Sequence, residues 1–117
     1  MKTHQSLTLQ HRTAALLKHI RDISLKHLPI SHSFIPYDIL IVLFYAHVDG
    51  RRLTIKELFN SLPYSDMGTR YHFRRLIEQN YIEVIRDRID SRMKYCQVTK
   101  KFEERFELLT HELLNHK

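Results

Sequence analysis

Glycine is almost missing from this chain. Gly50 and Gly68 serve all 117 positions, and there are no repeats and no low-complexity tracts. A sequence so poor in the residue that frees the backbone is mostly regular structure with short connections. Cysteine is scarcer still. Cys96 stands alone, which excludes an intrachain disulfide. Long apolar runs are missing too. The longest, "ILIVLFYA" from Ile39 to Ala46, falls far short of the ~20 residues needed to span a bilayer. Polar residues follow Met1-Lys2 where a secretory leader would be apolar. The expectation is a cytoplasmic protein with no membrane contact.

Chemistry-bearing patterns are equally sparse. Nine histidines are spread along the chain, with no H-x-H or H-x-x-x-H pair of the kind that grips a metal. There is no Gly-rich phosphate loop, no nucleophile motif and no carboxylate pair for a cleft wall. Neither enzyme activity, nor a metal, nor a cofactor is expected. Cys96 alternates inward on its strand and reads as a small core residue, not as a redox thiol.

What is present is apolar bulk and positive charge. With 117 residues, 43% of them apolar, the chain suffices for one domain spanning 1–117 and a core without staples. The net charge of +6 favours a polyanionic partner, since lysine and arginine neutralise phosphate.

The apolar spacing then orders the elements. Leu9, Leu16, Ile20, Ile23 and His27 share one face of a helix over about 5–28, stopped by Pro29. Residues 29–36, "PISHSFIP", read as a loop. A nearly all-round apolar helix over about 37–48 belongs in the middle of the fold. Thr54 and Glu57 form a T-x-x-E capping box, flanked by Leu53 and Leu58 in staple positions, for a short helix over 54–62. Ser65 caps the next helix, about 66–79, with Asp66 in its first turn. Thr69, Phe73, Leu76 and Ile77 give that helix its buried stripe. Strands over about 81–86 and 93–98 flank "RDRIDSR", a loop of mixed charge without a tight two-residue turn. Thr99 caps a last helix, reaching 116, on which Phe102, Phe106, Leu109 and Leu113 form a seam.

This order is a helix-turn-helix followed by a β-hairpin over 53–99, with helices at either end. The fold class is mainly α with a small β-hairpin wing, a winged helix-turn-helix. In such a fold the second helix lies in the major groove, led by its early residues. Here those are Ser65, Asp66, Met67, Gly68, Arg70 and Tyr71, followed by Arg74 and Arg75. Gly68 either lets the backbone approach DNA or accommodates a packed helix. In the wing, Arg86, Arg88 and Arg92 offer an arginine to the minor groove, while a neighbouring carboxylate, Asp87 or Asp90, can shape the loop.

From the end of the second helix through the wing, the residues resemble the MarR type of bacterial winged-helix regulators. That pattern runs L-x-x-x-G-[LY]-I, then D-x-R eight residues after the isoleucine, then L-T. This chain has Leu76, Asn80, Tyr81 and Ile82, then Asp90-Ser91-Arg92, then Val98-Thr99. Asn80, Val84 and Phe102 depart from the usual glycine, arginine and glycine. The resemblance covers about 37–105. It implies that Arg92 is the minor-groove arginine, Asp90 its loop partner, and the helix from Asp66 the reader of the major groove. It also implies a homodimer through the terminal helices.

The seams themselves point to association. Helices 5–28 and 100–116, through Leu9, Leu16, Ile20, Phe106, Leu109 and Leu113, either pair with a second copy or pack on their own subunit. The expected function is a homodimeric, sequence-specific, double-stranded-DNA-binding transcriptional repressor. The alternatives are a winged-helix protein-interaction module or a DNA-binding accessory factor without a regulatory ligand. A small-molecule effector is implied by the resemblance alone. His47, Tyr45 and Tyr64 are polar-tipped candidates for its pocket, or simply packing residues.

Overall fold

A computed structural model describes residues 4–115. The ends of the expected 1–117 domain, including residue 116 at the close of the last expected helix, lie outside the described residues. The chain runs α1 (His4–His27), α2 (Phe34–Val48), β1 (Leu53–Thr54), α3 (Ile55–Asn60), α4 (Asp66–Glu78), β2 (Ile82–Arg86), β3 (Lys94–Val98) and α5 (Lys100–Leu114). It is a winged helix, mainly α with a small antiparallel sheet.

α2 forms the centre. Ile39, Leu40, Leu43 and Ala46 are all fully buried, as an all-round apolar helix must be. It begins at Phe34, three residues before the start expected at 37, so the expected loop over 29–36 is too long. Ser33 accepts the Ile35 N–H as the cap, and Pro36 sits in the first turn. There a missing N–H breaks no helical bond, so proline is tolerated. The helix closes at Gly50, whose φ of 71° is left-handed, and Arg51 N–H returns to the Ala46 carbonyl at 2.8 Å.

The sheet has three strands, not two, in the order β1-β3-β2. β1 pairs Leu53 with Cys96 and Thr54 with Tyr95. Two residues cannot show an alternating pattern, so this strand leaves no signal in the sequence. It leads straight into α3, where the Thr54 capping box is complete: Glu57 N–H donates to Thr54 Oγ1 at 3.1 Å and Thr54 N–H to Glu57 Oε1 at 3.0 Å. The Thr54 backbone N–H first, and the Thr54 hydroxyl second, hold the Glu57 carboxyl below its usual range. α3 is shorter than the expected 54–62, spanning only Ile55–Asn60.

α4 ends at Asn80, which takes the left-handed conformation (φ 66°) open to asparagine where the MarR-type pattern has glycine. Tyr81 N–H then returns to the Leu76 carbonyl, and the chain enters the hairpin directly. Thr99 links the hairpin to both helices. Its hydroxyl caps α5 by accepting Phe102 N–H and donates to the Asn80 carbonyl at 2.7 Å. Lys101 stays with the fold as well, donating to the Gln79 carbonyl at 2.8 Å above the Tyr81 ring.

α5 lays Phe102 and Phe106 against Phe44, with the Phe44–Phe106 centroids 4.5 Å apart. Only the last turns of α1 join this body, through Ile23, Ser24, His27 and Leu28. Every residue from 7 to 18 is exposed. The 24 residues of α1 make a rod about 36 Å long, and the whole measures 62 × 29 × 25 Å. Its radius of gyration, 17.4 Å, exceeds the about 13 Å of a well-packed chain of this length. No helix among the described residues is long and apolar enough to cross a membrane.

Candidate nucleic-acid interface

α4 is fixed from its first residue. Ser65 Oγ accepts the Gly68 N–H at 3.2 Å, and its carbonyl accepts the buried Thr69 hydroxyl at 3.0 Å. The turn before it is tied to α2 by a short hydrogen bond from the Tyr64 hydroxyl to the Asp38 carboxylate. That bond pushes the Tyr64 hydroxyl up to about 12 and makes Tyr64 a structural tie. Thr69, Phe73 and Leu76 are buried, at helical spacings of four and three. Directly opposite, at spacings of four, three and four, run Met67, Tyr71, Arg74 and Glu78, all exposed.

The flanks differ from the expected layout. Ile77 was expected in the buried stripe but is 37% exposed, at the rim of a groove between α3 and α4. Arg70 and Arg74 both line this groove, Arg70 with its guanidinium 5.9 Å from the Phe59 ring. Arg75 turns to Tyr71, donating to its hydroxyl at 3.4 Å. Gly68 faces α2: a Cβ there would come within 3.2 Å of Ile35 Cδ1. This proximity favours a role for the glycine in helix packing. His72, partly covered beside α2, has its pKa lowered by burial first and by Arg75 second.

In the wing, Asp90 holds Arg92 three times. Oδ1 accepts Arg92 N–H at 3.1 Å and Nε at 3.1 Å, and Oδ2 accepts Nη2 at 3.3 Å. The Arg92 side chain holds the Asp90 carboxyl below its usual range, and the Arg92 backbone N–H adds to this. Asp87, left open in the sequence as one of two candidate carboxylates, also shapes the loop. Its Oδ2 accepts Asp90 N–H at 2.9 Å, and its own N–H donates to the Met93 carbonyl at 2.9 Å. The Asp-x-x-Asp spacing was the available signal, since an aspartate commonly accepts from a backbone N–H two or three residues on. Arg86, Arg88 and Arg92 are exposed, as is Ile89 at the tip.

The residues expected at a subunit interface separate in space. Leu9 and Leu16 lie on the bare part of α1, 56% and 49% exposed. Ile20, half-buried, lines an apolar cavity of about 360 Å³ with Leu17, Leu25, Phe34 and Tyr37. Leu109 is buried in the chain's own core, and Phe106 and Leu113 pack against it. Neither His47, nor Tyr45, nor Tyr64 lines that cavity. His47 lines an open groove with Phe44, Val48 and Phe106, where it meets Glu103 at 2.7 Å, and Tyr45 is exposed. Cys96 is buried and donates to the Leu53 carbonyl, and burial pushes its thiol up to about 12. No group of three or more His, Cys, Asp or Glu suited to a metal occurs among the described residues.

A helix-turn-helix with exposed arginines on its second helix, followed by a β-hairpin whose arginine loop is held by aspartates, defines the winged-helix class. No protein-family model and no curated protein matches the sequence. Solved structures do match. The S. aureus MepR–DNA complex superposes with a TM-score of 0.70 at 19% identity, covering 92% of this chain and 76% of that one. The adhesin competence repressor AdcR of Streptococcus pyogenes gives 0.54 at 20%, covering 95% and 74%. A MarR-like transcription regulator from Bacillus cereus gives 0.59 at 15%, covering 92% and 73%. The fold is that of the MarR-type winged-helix regulators.

Proposed function

We propose that this chain, as one domain over 1–117, is a homodimeric transcriptional regulator that binds specific double-stranded DNA and acts as a repressor by occupying its site. The observation that carries this reading is the pairing of two exposed basic elements on one frame. Arg74 stands on the outward stripe of α4, and Arg92 stands in a wing fixed by Asp90 and Asp87. In the major groove an arginine in the position of Arg74 is bidentate to guanine O6 and N7. Arg92, with Arg86 and Arg88 beside it, meets the deep negative potential of a narrow minor groove. Asp90 orients Arg92 and exchanges part of its hold on the guanidinium for the groove. Arg70 and Arg75, drawn to the flanks, serve phosphate. Ser65 and Asp66 set the start of the helix.

The net charge of +6 and a neighbour solved on DNA support the same reading. So does the bare apolar length of α1, which supplies a surface for the second copy. A two-fold pair of such units reads two half-sites. No small-molecule effector is assigned.

The test is fluorescence anisotropy on a pool of labelled genomic duplexes across a salt series. Expected are enrichment of particular fragments and a steep fall of log affinity with log salt. Arg74→Ala weakens the enriched site by about 1–3 kcal/mol and relaxes its sequence preference. Arg92→Ala makes the salt slope shallower by roughly 0.9 for each phosphate that the arginine neutralises in the wild type. An absence of binding at low salt would overturn the proposal.

A further inference from the structure

The outward stripe of α4 is not uniformly polar. Met67 opens it with a side chain 83% exposed. Among the large apolar side chains of the described residues only Ile89, 96% exposed at the wing tip, is barer. The two barest apolar groups thus sit on the two elements that the proposed function places against DNA. Met67 is outside the core, so the fold does not require it.

Its chemistry narrows what it can face. Methionine offers no donor and only a weak acceptor, on a flexible unbranched stem. Its flanking positions give no substitute. Asp66 would repel phosphate, Gly68 has no side chain and turns toward Ile35, and Arg70 lies over Phe59. Set against a G·C pair, such a side chain would strip water from amino and carbonyl groups and give nothing back. Only one base carries an apolar group in the major groove, and that is thymine with its C5-methyl.

We infer that Met67 is a specificity-determining residue that reads a thymine through its C5-methyl group, one turn ahead of Tyr71 and two ahead of Arg74. The inference rests on the DNA-binding reading and adds a base to it. Ile89 plays no part in it, because the minor groove displays no methyl group.

The experiment selects tight duplexes from a randomised pool with the full chain. Each thymine of the selected site is then replaced singly by deoxyuridine, which removes the methyl and nothing else. Dissociation constants are measured for the wild type, Met67→Ala and Ile89→Ser. One thymine per half-site is expected to weaken wild-type binding about fourfold on replacement, the worth of one buried methyl-sized group. Met67→Ala, too short to reach the methyl and well suited to a helix, binds the thymine and deoxyuridine sites equally. Ile89→Ser retains the fourfold difference. A wild type indifferent to every replacement overturns the inference, as does an undiminished difference in Met67→Ala. Failure of the pool to yield any bound duplex overturns the DNA-binding reading itself, a separate and recognisable outcome.

Discussion

α1 and α5 carry the same kind of apolar seam and use it differently. On α5 the seam is consumed by the chain itself: Phe102 is 0% exposed, and Leu109 is buried. On α1 the seam is fully buried only from Ile23 onward, Ile20 is half-buried, and Leu9 and Leu16 remain half in water. The reason is position. α5 follows the hairpin through the Thr99 cap, lies against α1 and packs Phe102 and Phe106 on the Phe44 ring of α2. α1 reaches the body at its carboxyl end, and residues 7–18 are exposed. Periodicity reports that a face will be buried. It does not report by whom.

The largest expected effect breaks the comparison at α5. Phe102→Ala should destabilise the fold by about 3–5 kcal/mol, because it empties a fully enclosed site in a core ringed by Phe44 and Phe106. Urea denaturation measures it. If Phe102 served a subunit contact instead, the loss would depend on protein concentration.

The second prediction addresses α1. Leu16→Glu should leave the folded body intact and abolish self-association. Two copies of the lost side chain remove about 3 kcal/mol or more from a dimer, on the order of a hundredfold in its dissociation constant. Sedimentation equilibrium reads this directly. A mutant that associates like the wild type would show that the bare leucines are not an interface.

The sequence was most legible where local chemistry decides the outcome. The Thr54–Glu57 box, the Ser65 and Thr99 caps and the left-handed Asn80 each depend on residues a few positions apart, and the Asp90–Arg92 pair was legible through the MarR-type resemblance. What escaped depends on distant partners. β1 exists because Cys96 and Tyr95 pass beside it. Gly68 sits close to Ile35, which comes from another helix. Arg70 lies beside Phe59 because α3 packs next to α4. Ile77 lies at the rim of the groove that α3 and α4 form between them. The same limit explains the mixed set of interface residues. One helical pattern served both Leu16 and Leu109, and only the packing tells them apart.

The smallest expected effect lies where the two helices meet. Glu112 on α5 accepts from Lys26 Nζ at 2.6 Å and hydrogen-bonds His27 Nε2 at 2.9 Å, both on α1. Lys26 first, then His27, holds its carboxyl below the ordinary glutamate value of 4.5. The folded chain therefore binds this proton more weakly than the unfolded chain does. The clamp contributes fully above the unfolded value and is lost as pH falls through the lower folded one. Glu112→Gln keeps the shape and removes the charge. Its melting temperature should lie below that of the wild type near neutrality, and the gap should narrow as pH drops below about 4.5. The wild-type-minus-mutant difference isolates this clamp from Asp90 and Glu57, which titrate in the same direction. A gap that stays constant from pH 7 into the acid range would mean that α1 is held by Ile23 and Leu28 alone. The charged clamp would then add nothing to the joint between the consumed seam and the free one.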